Sequence, residues 1–440
     1  MIICLVHCTM NSTLDEIRVR DMGAKQKTAS PLWTRDFTII TLGSVVSMLG
    51  NSLSGFAMSL MVLDISQSTL LYAVYIAMYT LPQLFVPIVS GAILDRFSRK
   101  KTIYTLDFIS AFLYALMALL LTTGWFSFPV FAVYCFVLGS IQSMYMVAYQ
   151  SFYPLLISEG NFQKAYSIAS VLETLSAVMV PLSAFLYRQI GLSPLLGINA
   201  LCFLIAAIME TRIGADEHYL ETQKETKQSE LSGSRQVLSD IREGFSYLVG
   251  EKGLLAIAIY FFFSAICGGV SSVIVLPWFK SVYENGEYLY MLVWGMALVG
   301  RAIGGMIHYR LNIPAKFRFT VALTVYVVIS VLEGVYLFTP IPVMMVMCFV
   351  VGIGGVTSYT IRISATQSYV PDERKGRFNG AFNMLSTSGA LLGEVLAGAL
   401  TVLIPERFVL LTVMLLCVLA AVVFIGGGRK HVMPIYNRSQ

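Results

Sequence analysis

Ionisable side chains within long apolar stretches are the residues of this chain that could carry chemistry. Arg301 lies about midway along the apolar run 288–308, and Glu394 lies about midway along the run 380–404. A charge in a hydrocarbon environment is costly, so each of these residues needs a reason to be there. Two interpretations are open for both: binding of a substrate or a proton, or a structural role in which a buried charge fixes helix packing.

Glu173 and three uncharged residues extend this set of candidates. Glu173 lies roughly a third of the way into the run 166–188. A lone acid in a low-dielectric environment suits proton coupling, because its neutral form is favoured there. Gln142, Asn51 and Trp294 are the further candidates for lining a binding cavity.

Three other charged residues in or near apolar runs receive structural interpretations. Glu333 lies in the run 318–339, where a structural role is expected. Glu210 and Arg362 lie near the ends of their runs. Long charged side chains in such positions can extend their polar ends to the membrane surface, so no binding role is assigned to them.

Signatures of enzymatic chemistry are absent from the sequence. It contains no H-E-x-x-H helix, no G-x-S-x-G elbow and no G-x-x-x-x-G-K-[ST] phosphate loop. The four histidines do not cluster, and the seven cysteines form no C-x-x-C or zinc-type spacing. The sequence therefore predicts neither an enzyme nor a resident metal or cofactor. Without a phosphate loop, any pumping is expected to draw on an ion gradient.

The elements that position these residues are predicted to be membrane-spanning helices. The chain is 57% hydrophobic and 12% charged, with a mean hydropathy of +0.74, whereas soluble proteins are roughly 25% charged. A span requires about 20 mainly apolar residues. This criterion predicts an all-α membrane protein with twelve transmembrane helices, near residues 37–63, 69–93, 102–123, 129–154, 166–188, 194–211, 254–278, 288–308, 318–339, 342–364, 380–404 and 407–426.

The distribution of basic residues predicts how the helices are oriented. All but five of the 30 lysines and arginines fall in the terminal tails or in loops on one side of the predicted membrane; the exceptions are Arg188, Lys280, Arg301, Arg362 and Arg407. Loops rich in lysine and arginine lie on the cytoplasmic side. We therefore expect both tails, residues 1–36 and 427–440, to be cytoplasmic.

One long polar stretch, residues 212–253, divides the predicted spans into six and six. Its second half has apolar residues at helical spacing, which predicts an amphipathic helix on the inner membrane surface; these residues are Val237, Ile241, Phe245 and Leu248. The two halves, 37–211 and 254–426, also share short patterns. FVLG at 136–139 matches FVVG at 349–352, 213 positions later. These features predict a duplicated six-helix bundle joined by a cytoplasmic linker.

A short basic turn, GAILDRFSRKK at residues 91–101, connects the second and third predicted spans. It fits the pattern G-x-x-x-D-R-x-x-R-K, and the matching residues are Gly91, Asp95, Arg96, Arg99 and Lys100. This pattern resembles the signature loop of the major facilitator superfamily. The motifs L-W-x-x-D-F at 32–37, G-N-S at 50–52 and G-R at 376–377 resemble the bacterial multidrug and macrolide efflux branch in particular.

The resemblance implies a six-plus-six pseudo-symmetric fold in which spans 8 and 11 flank a central cavity. On that fold Arg301 and Glu394 would lie near the membrane midplane, where they could form a pair. Glu173 could face the cavity from the N-terminal half. Relatives often have Ala-Asn-Ser where this chain has Ala-Tyr-Ser at 165–167, so no polar role is transferred to Tyr166.

The resemblance also implies a gate at the signature loop. Asp95 is expected to contact Arg377, or the positive N-terminus of span 11, and so to close the cytoplasmic side in an outward-open state. Asp107, early in span 3, is expected to bind Arg96 or Arg99. Basic residues at 99–101 are expected to hold the turn at anionic headgroups. The alternative is that the motif only fixes topology.

Taken together, the residues and the resemblance predict a proton-coupled secondary transporter that exports drug-like or amphipathic molecules by alternating access. Its expected partners are a small-molecule substrate, protons as the coupling ion and membrane lipids, with no nucleic acid. We expect a monomer in a bacterial plasma membrane. Two alternatives stay open: a carrier for one metabolite or siderophore, and a non-transporting receptor or scaffold of the same fold.

Overall fold

The computed structural model describes residues 31–94, 97–158, 161–215, 233–310 and 313–438, and within them it contains helices and no β-strand. The prediction of an all-α protein is therefore confirmed. In chain order the α-helices are α1 (Arg35–Ser66), α2 (Thr69–Thr80), α3 (Pro82–Leu94), α4 (Arg99–Thr122), α5 (Phe128–Phe152), α6 (Phe162–Ile190), α7 (Leu192–Glu210), α8 (Gly233–Gly250), α9 (Lys252–Val282), α10 (Gly286–Arg310), α11 (Arg318–Val335), α12 (Ile341–Tyr369), α13 (Asp372–Leu400), α14 (Glu406–Ala420) and α15 (Arg429–Tyr436).

Polar residues at the helix starts explain several of these boundaries. The side-chain oxygens of Thr34, Ser68 and Ser98 accept hydrogen bonds from backbone N–H groups in the first turns of α1, α2 and α4. Such caps satisfy donors that have no partner within the helix. Helices α2 and α3 lie within one predicted span, and the break between them precedes Pro82, which lacks the N–H that a continuous helix would use.

Ten helical segments in the described part of the chain are long and apolar enough to cross a membrane. Helices α6 and α13 are not among the ten, although each has 29 residues. At about 1.5 Å per residue either could cross a hydrocarbon layer of about 30 Å, but both carry more polar side chains than a typical span. The membrane character is therefore confirmed, and the full count of twelve spans stays a prediction.

The same order of helix partners occurs in both parts of the chain. Helix α1 packs against α6 and α7, and α9 packs in the same way against α13 and α14. Helix α4 packs against α7 as α11 packs against α14, and α3 against α5 as α10 against α12. We call α1–α7 the N-terminal group and α9–α14 the C-terminal group.

Glycines allow the closest of these helix contacts. A Cβ atom built at Gly300 on α10 or at Gly352 on α12 would lie 2.1 Å from a carbonyl oxygen of the other helix. A Cβ atom built at Gly139 on α5, the repeat counterpart of Gly352, would lie 2.2 Å from the carbonyl oxygen of Tyr79 on α2. Small residues are used in this way where membrane helices meet backbone to backbone. The sequence repeat thus coincides with equivalent packing positions.

The helix expected in the polar linker is present as α8, but it packs on the protein. It contacts α13, α3 and α9, and Leu248 is buried. A Cβ atom at Gly244 would lie 2.3 Å from the carbonyl oxygen of Arg377 on α13. Leu248 therefore packs against the protein, and the position of the helix on the inner membrane surface stays a prediction.

Candidate functional site

A cavity of about 650 Å³ lies between α3 and α5 of the N-terminal group and α13 of the C-terminal group. Its lining consists of amides, hydroxyls and apolar groups, and the lining residues are Gln83, Leu84, Pro87, Gln142, Ser143, Met146, Val147, Gln150, Gly380, Asn383, Met384 and Thr387. Amides donate and accept hydrogen bonds, and methionines adapt to differently shaped apolar ligands. The volume is typical of small-molecule sites, which range over roughly 300–1,000 Å³. We call this space the intergroup cavity.

A second cavity of about 400 Å³ lies inside the N-terminal group, and Gln142 and Met146 line both spaces. Asn51 on α1 lines this inner cavity, where its Oδ1 accepts a hydrogen bond of 3.1 Å from the Tyr114 hydroxyl. Among the residues proposed from sequence, Gln142 and Asn51 thus lie at cavities. Trp294 is exposed and stacked on Tyr290, and it lines neither space.

Two buried carboxyl groups face each other beside the inner cavity. Asp107 on α4 is 1% exposed, and Glu210 at the end of α7 is 0% exposed. The two carboxyl groups interact electrostatically. Among the described residues, no N–H or O–H group donates to Asp107 Oδ2 or to either oxygen of Glu210. We call these residues the carboxyl pair.

The carboxyl pair corrects two expectations. The surface position expected for Glu210 is wrong, because its side chain is enclosed by α1 and α4; a Cβ at Gly43 on α1 would lie 3.1 Å from its Oε1. The expected contact of Asp107 with Arg99 is not formed. Arg99 Nη1 donates to the carbonyl of Ser151 at 3.1 Å, and eight helical residues separate Asp107 from Arg99 by about 12 Å along the axis. Arg96 lies outside the described residues.

Glu394 lies where α13 meets α2, and it is 5% exposed. Its Oε1 accepts a hydrogen bond of 3.1 Å from the Thr80 hydroxyl, and its Oε2 has no donor among the described residues. Helix α13 begins at Asp372, eight residues before the predicted start, and the midway depth expected for Glu394 stays a prediction. Glu394 is six residues from the end of the helix at Leu400, which corresponds to about 9 Å.

Arg301 and Glu394 do not form the expected pair. Arg301 lies midway along α10, and its Nε is 3.9 Å from the position of a Cβ built at Gly355 on α12. Its guanidinium interacts electrostatically with Glu333 on α11. Arg301 thus faces α12 and α11, whereas Glu394 faces α2, because the two helices present these residues to different neighbours.

Several proposed residues cannot be placed by their side chains. Asp95 and Arg96 lie outside the described residues, as does the side chain of Glu173, and Gly91 lies in the last turn of α3. Lys100 Nζ donates to the carbonyl of Ile213 at 3.1 Å. Arg377 on α13 pairs with Glu243 on α8, with an N–O distance of 2.6 Å. The contact predicted between Asp95 and Arg377 stays a prediction.

Charged residues join the two groups at one end of the bundle. Lys280 on α9 pairs with Asp64 on α1, and Asp64 also accepts a hydrogen bond of 2.9 Å from the Tyr187 hydroxyl. Arg188 on α6 donates through Nε at 2.8 Å to Glu287 on α10, which is 3% exposed. We call this end the ion-paired face. The end at which α4 and α13 begin, where most basic residues lie, is the basic face.

The intergroup cavity lies in the half of the bundle nearer the basic face. Gln150 is two residues from the end of α5, and Gly380 lies in the third turn of α13. The groups are therefore joined at the ion-paired face and separated by a cavity toward the basic face. The closure of the basic side expected from the signature loop stays a prediction, because Asp95 lies outside the described residues.

The distribution of basic residues along the sequence already indicates these ion pairs. Of the five basic residues that fall outside the tails and loops of the basic side, Arg188 and Lys280 have acids as partners at the ion-paired face. A basic residue on that side is unusual enough to suggest a specific partner. No comparable indication existed for the carboxyl pair, because the adjacency of α4 and α7 arises only in the folded protein.

Comparisons with known proteins agree with this architecture. Residues 40–394 match the family model of the Major Facilitator Superfamily. A Bacillus subtilis (strain 168) protein, described as "Uncharacterized MFS-type transporter YkuC", is 25% identical over 299 residues, covering 64% of this chain and 68% of that protein.

Solved structures of the nucleoside transporter NupG and of a mutant of it are also similar. Their TM-scores are 0.61 and 0.60 at 12% identity, and they cover 91% and 90% of this chain and 100% and 99% of their own. At that identity the likeness concerns the fold alone. The matched family, the helical architecture and the intergroup cavity lead to one conclusion: the chain belongs to the major facilitator superfamily.

Proposed function

We propose that the protein is a proton-coupled secondary transporter that exports amphipathic or drug-like small molecules by alternating access. The observation that supports this function best is the intergroup cavity between α3, α5 and α13. A space between two helix groups that are joined at one end is what a rocking mechanism requires, because the site can be exposed to either side in turn.

The proposal includes an orientation and a domain division. We assign the basic face to the cytoplasm, because lysine and arginine residues favour that side. The six-helix bundles then comprise 37–211 and 254–426, with twelve spans, cytoplasmic tails and a cytoplasmic linker at 212–253. In this orientation the ion-paired face is external and closed. A cavity that lies toward the cytoplasm can receive substrate from the cell, which suits export.

The lining of the intergroup cavity favours a neutral or amphipathic substrate. The described lining residues include no Lys, Arg, Asp or Glu, so a highly charged molecule would lose its hydration there without gaining a counter-ion from them. The methionines can adapt to various apolar surfaces. The amides of Gln83, Gln142, Gln150 and Asn383 also favour a second candidate, a carrier for one neutral metabolite rich in hydrogen-bonding groups.

A compound-accumulation assay in a pump-deficient bacterium tests the proposal. Cells that express the protein should retain less of several unrelated lipophilic dyes, and an uncoupler should abolish the difference. Gln142→Ala and Asn383→Ala should weaken export several-fold, whereas Trp294→Ala, outside the cavity lining, should not. Export of only one compound would favour the specific carrier. Specific partner binding without any flux would favour a receptor or scaffold, and export insensitive to the uncoupler would contradict gradient coupling.

A further inference from the structure

The carboxyl pair lies where two ionised acids would be costly. Asp107 and Glu210 lie on two helices that pack against each other, and both are almost completely buried. Two ionised carboxylates enclosed in this way would repel each other without the hydration that water gives. No donor from another described residue reaches Asp107 Oδ2 or the oxygens of Glu210. A single proton held between the carboxyl groups satisfies both and removes the repulsion of two buried charges.

Among the described residues, no other charge forms an ion pair that could stabilise two carboxylates here. From α5 the pair is faced by Tyr145, whose hydroxyl has no hydrogen-bond partner among the described residues. From α1 it is faced by Gly43, and the hydroxyl of the following residue, Ser44, has no hydrogen-bond partner in the described part of the chain. From α6, Leu172 lines the adjoining cavity. On α4, Arg99 Nη1 and Lys100 Nζ donate to backbone carbonyl groups. No described lysine or arginine forms an ion pair with either acid.

The carboxyl pair is connected to the space proposed for the substrate. Asp107 lines the inner cavity, and this cavity shares Gln142 and Met146 with the intergroup cavity. Water in the inner cavity could therefore carry a proton between the carboxyl pair and the intergroup cavity. The same two shared side chains would respond to a substrate on one side and to the protonation of the pair on the other.

We propose that Asp107 and Glu210 together form the proton-binding site of this transporter, a site that holds one proton and exchanges it through the inner cavity. This inference rests on the proposed function and adds the residues that carry the coupling ion. Release breaks one O–H bond, transfers the proton to water and leaves two carboxylates. Their repulsion then acts between α4 and α7, against the side of α1 that contains Gly43.

A sodium ion is the competing ligand for two acids of this kind. The structure favours a proton, because both carboxyl groups are almost completely buried, whereas a sodium ion needs several ligands around it. Among the described residues no group of three or more His, Cys, Asp or Glu residues could hold a metal ion. Sodium is therefore an outcome of the test rather than part of the proposal.

Infrared difference spectroscopy on the purified full-length protein tests the proposal without any substrate. Raising the pH should remove a protonated-carboxyl C=O band in the wild type, and this change should be lost or strongly reduced in Asp107→Asn, in Glu210→Gln and in the double variant. Glu394→Gln is the control, because Glu394 is a buried acid that accepts a hydrogen bond from Thr80 and does not belong to the carboxyl pair. This variant should retain the band from the carboxyl pair. Gel filtration and thermal melting establish that each variant folds; if one does not, the other single variant carries the comparison.

Proteoliposome measurements separate this inference from the proposed function. With an imposed proton gradient, Glu210→Gln should reduce dye transport at least tenfold, whereas counterflow of dye without a gradient should persist. Proton-driven transport that survives in the double variant would overturn the assignment of the carboxyl pair and leave the proposed function intact. If the carboxyl pair titrates but the protein shows no flux, the proposed function is overturned and the assignment of the pair is left intact. Thermal stabilisation by sodium at constant pH, lost in the double variant, would overturn the choice of a proton.

Discussion

The ion pair between Arg188 and Glu287 is expected to set how often the ion-paired face opens. Glu287 is almost fully buried, and it binds both Nε and Nη2 of an arginine from the other helix group. In Arg188→Gln a buried carboxylate would lose its partner, a change that costs about 3–5 kcal/mol for a fully buried pair. Because the Arg188 side chain is 43% exposed, solvent screening reduces this to about 1–2 kcal/mol.

A cost of that size should change the conformational equilibrium about tenfold, since 1.4 kcal/mol corresponds to a factor of ten. The closed arrangement loses its ion pair, whereas an open arrangement would let water reach Glu287. Arg188→Gln is therefore expected to increase the population in which the two groups separate at this face.

Distances between spin labels can measure this population. Cysteines introduced at Thr123 and Leu403 would place labels on exposed positions of the two groups. The substitution Arg188→Gln should add a longer distance to the distribution. The matched control is Arg407→Gln, because that arginine packs over Phe338 and Phe408 within one group. A distance distribution in Arg188→Gln that is identical to the wild type would refute the reasoning.

Three further changes have defined outcomes. Gly43→Ala places a Cβ 3.1 Å from Glu210 Oε1, so we expect a melting temperature lower by a few degrees and a shifted carboxyl C=O band; an unchanged infrared spectrum would contradict this placement. Gly352→Leu should prevent folding, because even a Cβ there would lie 2.1 Å from a carbonyl oxygen. Gly305→Leu is the control, because a Cβ at Gly305 would meet open space, and the yields of monodisperse protein compare the two variants. Glu243→Gln removes an exposed ion pair with α13 and should change the free energy of unfolding by less than about 1 kcal/mol in denaturant titrations.

The sequence predicted the helices well where hydropathy alone determines them. Most helix bounds lie within a few residues of the predicted spans, because a membrane-spanning run must be long and apolar. Helix α13 begins earlier than predicted because its first turns, DERKGRFN at 372–379, are charged and polar yet helical. Run length cannot detect such an extension, because charged residues fall outside an apolar run.

The contacts of the candidate site could not be read from the sequence, because they depend on the direction in which each helix presents its residues. Arg301 and Glu394 have suitable charges and depths, but they face different neighbouring helices. Asp107 and Glu210 are 103 positions apart and meet only because α4 packs on α7. Helical periodicity gives relative directions within one helix, whereas the partner of a polar face is decided by tertiary packing.

Helix α8 has a consequence for how the transport cycle can be observed or stopped. It is held on α13 by the backbone contact at Gly244, and it also touches α3 of the other helix group. If the groups rotate relative to each other, α8 must travel with α13, so its contact with α3 is the one that breaks and re-forms in every turnover. A cross-link between α8 and α3 would therefore arrest the protein in a single state, and a fluorophore pair at this junction would report each turnover.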